Sequence, residues 1–138
     1  MRGHRLLEHT ADMGIEASGA SLEELFAEAA YGLMEIIAGA PQGLCREERS
    51  VVVEGGEAEE LLVNWLNEIL YLFEIKRFFP VDFEVEGVAW NRLRARVRGE
   101  TFDPERHPVE REVKAVTYHQ LEVKKIDGFW QARIYVDL

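Results

Sequence analysis

After Pro80 the hydrophobic period of the chain changes, and that change restricts the folds open to it. From about Ala58 to about Ile75, the residues Leu61, Leu62, Trp65, Leu66, Ile69, Leu70 and Phe73 recur at the 3.6-residue period of an amphipathic helix with a broad apolar face. Beyond Pro80, Val81, Phe83 and Val85 alternate with Asp82, Glu84 and Glu86, and then Leu93, Ala95 and Val97 alternate with Arg94, Arg96 and Arg98. This is the pattern of two half-buried strands. Their polar sides carry opposite charge, so an antiparallel pair laced by cross-strand ion pairs is expected, each worth ~0.2–1 kcal/mol. Three arginines on one face are also compatible with contact to RNA.

The flanking segments repeat the two periods. Leu6-Leu7 opens a short extended segment, and Met13 to Ala17 resumes one, with Ile15 and Ala17 on one side and Gly14 and Glu16 on the other. Ser21-Leu22-Glu23-Glu24 has the form of a capping box, and Leu22, Leu25, Phe26, Ala29, Ala30, Leu33, Ile36 and Ile37 follow as a helical stripe ended by Gly39 and Pro41. Val51-Val52-Val53, bounded by Gly55-Gly56, predicts a strand over 49–54. Asp103-Pro104 and His107-Pro108 mark 101–108 as a loop. Val113 to Ile126 is extended, Asp127-Gly128 is a hairpin turn, and the strand returns over Phe129 to Val136 with Trp130, Ala132, Ile134 and Val136 on one face. The order predicts an α+β fold: one domain over 1–138, in two layers, with two main helices on one face of a mixed or antiparallel sheet.

A length of 138 residues, 47% of them hydrophobic, suits one ordinary core. The net charge of −10, from 26 acidic and 16 basic residues, argues against attraction to a phosphate backbone as the main source of binding and favours a cation or a basic protein as partner. A single cysteine, Cys45, fits a reducing compartment, so a cytoplasmic location is expected. The apolar run after Arg5 ends at two leucines, too short for a signal-peptide core, and no stretch has the roughly 18 apolar residues of a membrane span.

Phosphate-binding glycine loops, paired-cysteine zinc motifs and the Gly-x-Ser-x-Gly elbow are all missing from the sequence. The four histidines, at 4, 9, 107 and 119, lack helical ligand spacing. Two stretches have content suited to chemistry. Glu8-His9-Thr10-Ala11-Asp12 and the final Asp137-Leu138 together offer carboxylate oxygens and a terminal main-chain oxygen, hard ligands suited to calcium, magnesium or manganese. On these residues alone the plainer reading is favoured, Asp12 as a turn residue and Asp137 as a solvated end. Alternation puts both on the polar sides of their strands without making those strands neighbours. In Lys114-Ala115-Val116-Thr117-Tyr118-His119, alternation sets His119 with Ala115, Leu121 and Val123 on an apolar face, which predicts a buried, hydrogen-bonded imidazole. Lys114 and Tyr118 point the other way, and contact with a partner or a phosphate is the alternative use of these three residues.

Glu8-His9-Thr10-Ala11-Asp12-Met13-Gly14, the helix Leu61 to Tyr71, the strand Val113 to His119 and the ending Val136-Asp137-Leu138, in that order, resemble the archease family over the whole chain. The resemblance implies a small acidic accessory protein, not itself an enzyme, that assists the GTP-dependent RNA-splicing ligase which joins tRNA halves. It would promote guanylylation of that ligase and its multiple turnover, and would meet tRNA only indirectly. It also implies a divalent metal, calcium in the family, held by Asp12, Asp137 and the main-chain oxygen of Leu138; a hydrogen bond from His9 is then expected to orient Asp12. Lys114, Tyr118 and His119 would then lie at a partner contact. Gln120, and Asn64 in place of an acid, depart from the family pattern. Two rival functions are a metal-dependent phosphoesterase and an RNA-binding module using Arg94, Arg96 and Arg98.

Overall fold

The computed structural model describes residues 2–8, 12–39, 42–89 and 91–138. The elements run β1 (Gly3–Glu8), β2 (Asp12–Gly19), α1 (Leu22–Ala38), β3 (Glu47–Glu54), α2 (Ala58–Glu74), β4 (Phe78–Ala89), β5 (Arg92–Thr101), β6 (Ala115–Ile126) and β7 (Phe129–Asp137). Among the described residues no helix is long and apolar enough to cross a membrane.

The α+β class holds, and every ladder is antiparallel. The strands do not form one sheet, however. A four-stranded sheet has the order β1-β2-β7-β6 and a three-stranded sheet the order β3-β5-β4, so the first and last strands of the chain share one sheet and the middle three share the other. Alternation predicts which side of a strand is buried but not which strand lies beside it. Both helices touch both sheets: α1 packs on β2 and β4, and α2 on β6, β4 and β3.

The helix starts use one local device twice. Ser21 Oγ accepts from Glu24 N (3.2 Å), while the Glu24 carboxylate accepts from Ala20 N (3.0 Å). At α2 the Glu60 carboxylate accepts from Gly56 N in the same way. Each acid thus satisfies a free amide at a helix start and lies at the positive end of the helix dipole. The helices are tied together by the fully buried Trp65, whose indole donates to Phe26 O (2.8 Å). Tyr31 ties α1 to the three-stranded sheet, donating to Asp82 Oδ1 (2.6 Å) and accepting from Phe83 N (3.2 Å). Burial, followed by the bond to Asp82, pushes its phenol up to about 12. Asn64 donates to Glu54 O (2.8 Å), fastening α2 to the end of β3.

Pro80 falls inside β4 rather than before it. The strand lies at a sheet edge and has a register shift between Pro80 and Asp82, the setting in which a residue without an N–H is tolerated. The pairing of opposite charges on this sheet is as its alternation implies. Arg98 reaches Glu48 (3.1 Å), Asp82 (3.1 Å) and Glu84 (2.7 Å), and Arg96 reaches Glu86 (3.1 Å). Asp127 and Gly128 both have positive φ (51° and 83°), as a two-residue hairpin closing on the Ile126–Phe129 pair requires.

Candidate functional site

Four strand ends meet at one end of the four-stranded sheet. β2 begins there with Asp12 and β7 ends there with Asp137, and these two residues are direct register partners. Partners across an antiparallel ladder project from the same face. On the other side of β7, Ala115 at the start of β6 pairs with Asp137, and Lys114 N donates to Asp137 O (2.8 Å). β1 ends close by, with Glu8 opposite Met13. Leu138 is half-buried and packs against the core.

Two carboxylates placed directly opposite repel each other. Among the described residues neither Asp12 nor Asp137 has a side-chain partner to offset this. Hard oxygen donors concentrated in this way suit a divalent cation such as calcium or magnesium. No group of three or more His, Cys, Asp or Glu side chains suited to a metal occurs among the described residues, so further oxygens would come from the main chain or water. His9 lies outside the described residues.

The β6 motif divides. Val116, not Ala115, is buried, and Lys114 is exposed beside Asp137. Thr117 pairs with Tyr135 and Glu122 with Arg133, so five steps along β6 match two along β7, and Gln120 takes φ 54° in the resulting bulge. The expectation of a buried His119 on one face with Ala115 is therefore corrected. The inserted residues change the phase of the alternation, leaving both His119 and Ala115 exposed while Leu121 and Val123 still pack on the core. The His119 amide donates to Thr117 Oγ1 (2.9 Å), and Tyr118 stands 58% exposed on the bulge. Lys114 thus adjoins the aspartate pair, whereas Tyr118 and His119 sit farther along the same strand.

The arginine face offers less to RNA than its sequence suggests, because Arg96 and Arg98 are engaged by Glu48, Asp82, Glu84 and Glu86. Arg94 has no ion pair among the described residues.

One buried polar group escapes sequence reasoning. Glu100, at 3% exposure, accepts from Leu44 N (2.8 Å), both terminal nitrogens of Arg106 (2.9 and 3.1 Å) and His107 Nε2 (2.9 Å). Asp103 N donates to His107 Nδ1 (2.9 Å), so the ring proton belongs on Nε2. The imidazole stacks on Phe79 with ring centres 4.1 Å apart. These bonds, His107's first, hold the Glu100 carboxyl down to about 2 against its burial. The partners come from separate loops, and the only local signal, His107-Pro108, marks a turn. The network fastens the loops before β3 and after β5.

A family model described as the archease protein family matches residues 4–138. An archease of Methanosarcina mazei is 40% identical over 139 residues, spanning 98% of this chain and 95% of that protein. One from Pyrococcus abyssi is 41% identical over 135 residues, spanning 95% of each. Among solved structures, the solution structure of Methanobacterium thermoautotrophicum protein 1598 superposes with a TM-score of 0.83 at 33% identity, covering 99% of each chain. The crystal structure of an archease from Thermotoga maritima, described as a possible chaperone, gives 0.64 at 28% identity, covering 96% of this chain and 94% of that one.

Proposed function

The chain belongs to the archease family, and from that membership we propose that it is an accessory protein which activates the GTP-dependent RNA-splicing ligase, promoting its guanylylation and multiple turnover. The observation that carries the proposal is the register pairing of Asp12 with Asp137 at the meeting point of the family's sequence motifs. Those carboxylates, with the main-chain oxygen of Leu138, would hold a divalent cation, calcium first, with magnesium or manganese as substitutes. When bound, the cation supplies neutralisation of negative charge at phosphate oxygens. The protein's part is to hold the donors at the end of the sheet, on its two interior strands, and present them to the ligase, with Lys114 beside the pair and Tyr118 exposed beyond it.

A net charge of −10 favours docking on a basic, RNA-handling enzyme and disfavours direct capture of tRNA. The engagement of Arg96 and Arg98 by acids weighs in the same direction. The description of the Thermotoga relative as a possible chaperone is compatible with an assisting role. The test is ligation by the cognate ligase under multiple turnover, at limiting metal and GTP, with and without this protein. Added protein is expected to raise the turnover rate, and Asp137→Asn to remove the gain. Equal rates with and without the protein would overturn the proposal.

A further inference from the structure

The solvent-side row of β7 contains one residue out of character. Gln131, Arg133 and Asp137 are exposed, but Tyr135, between the last two, is only 6% exposed. It lies on the side of the sheet turned away from α1, because Ile15 faces that helix at Gly32 and Gly14 projects from the opposite side. Part of its cover comes from the neighbouring strands. Gly14 is its partner on β2, and a β-carbon on Gly14 would lie 2.8 Å from Tyr135 Cε1, 3.1 Å from Cδ1 and 3.2 Å from Leu7 Cβ. Thr117 is its partner on β6, and the bulge beyond it brings the His119 ring to 6.3 Å, tilted by 58°. The row Leu7–Gly14–Tyr135–Thr117 immediately precedes the row Asp12–Asp137–Ala115 on the same face. Two residues along a strand separate the rows by roughly 6.6 Å.

We propose that Tyr135, laid against the bare backbone of Gly14, is a positioning residue for the aspartate pair. The inference rests on the proposed role of Asp12 and Asp137 as cation ligands. The ring closes one flank of the pair to water, so the carboxylates act on a cation through a medium of lower dielectric than a fully solvated strand end provides. It also packs the end of β7 against β2, fixing the position from which Asp137 projects. Gly14 belongs to the arrangement because any side chain there would force the ring off the sheet. This gives the glycine two residues after Asp12 a purpose that no turn or positive φ requires of it.

The test is calorimetric titration of the purified protein with calcium alone, comparing wild type with D12N, Y135F, Y135A, G14A and the G14A/Y135A double variant. Melting temperatures in chelator identify any loss of fold. D12N is expected to abolish binding and Y135F, which keeps the ring, to weaken it less than Y135A does. Y135A and G14A should each weaken calcium binding by about tenfold, as loss of the shell around a metal site does. The double variant should bind no more weakly than Y135A, because an alanine at 14 has no ring to displace. Should Y135A not fold, G14A suffices, since it leaves the ring and both aspartates in place. If Y135A and G14A bind as tightly as wild type while D12N does not, or if their losses add, the positioning role fails and the cation site stands. If D12N binds as wild type does, both fail.

Discussion

Asp12 and Asp137, from opposite ends of the chain, stand directly across the β2–β7 ladder from one another, with no cationic side chain between them among the described residues. Like charges so placed oppose folding. Asp12→Asn is therefore expected to raise the melting temperature in chelator, by the equivalent of about 0.5 kcal/mol, and to remove the further rise that calcium is expected to give wild type. Thermal denaturation with and without calcium checks both effects. A variant less stable than wild type in chelator would show that the pair is not under repulsion.

Acid stability should report on Glu100. Its carboxyl is held to about 2 in the fold, against an ordinary 4.5. A carboxylate whose pKa is depressed on folding adds stability that is complete above the unfolded value and is lost as pH falls from there through the folded one. Wild type should thus lose this contribution between pH 4.5 and about 2. Glu100→Gln should be less stable at neutral pH by about 2 kcal/mol, the scale of hydrogen bonds to a charged group, and should show a flatter profile in that window. Denaturant unfolding at stepped pH measures both.

The indole bond between the helices gives a separable prediction. Trp65→Phe removes the donor to Phe26 O and some buried area, for an expected loss of about 2 kcal/mol. Because no element is displaced, the urea midpoint should fall at constant slope.

Arg98 joins β3, β5 and β4 through Glu48, Asp82 and Glu84. Arg98→Ala should lower the melting temperature at low salt, with the difference shrinking as salt screens the wild-type pairs. RNA affinity, if any is detected, should not change in step with it.

What the sequence discloses here follows the reach of each interaction. The capping box at Ser21, the helical stripe through Trp65 and the turn at Asp127-Gly128 depend on neighbours within a few residues, and all three appear where local chemistry places them. The strand faces at Ile15 and Val97 follow alternation for the same reason. The division into two sheets, the meeting of Asp12 with Asp137 and the Glu100–His107 network depend on which distant segments become neighbours, and periodicity is silent on that. His119 shows how one local irregularity defeats alternation. Alternation read across an odd number of inserted residues cannot hold on both sides of them: it is right for Leu121 and Val123 and wrong for Ala115 and His119.

The β6 bulge also bears on what this sheet can join. β6 is an edge strand of twelve residues, long enough to serve as a template for a strand from another molecule. Gln120's left-handed backbone and the broken ladder between Thr117 and Glu122 interrupt the row of outward amides and carbonyls that such a strand would need. The irregularity that carries Tyr118 into solvent thus also guards the edge against unwanted growth of the sheet.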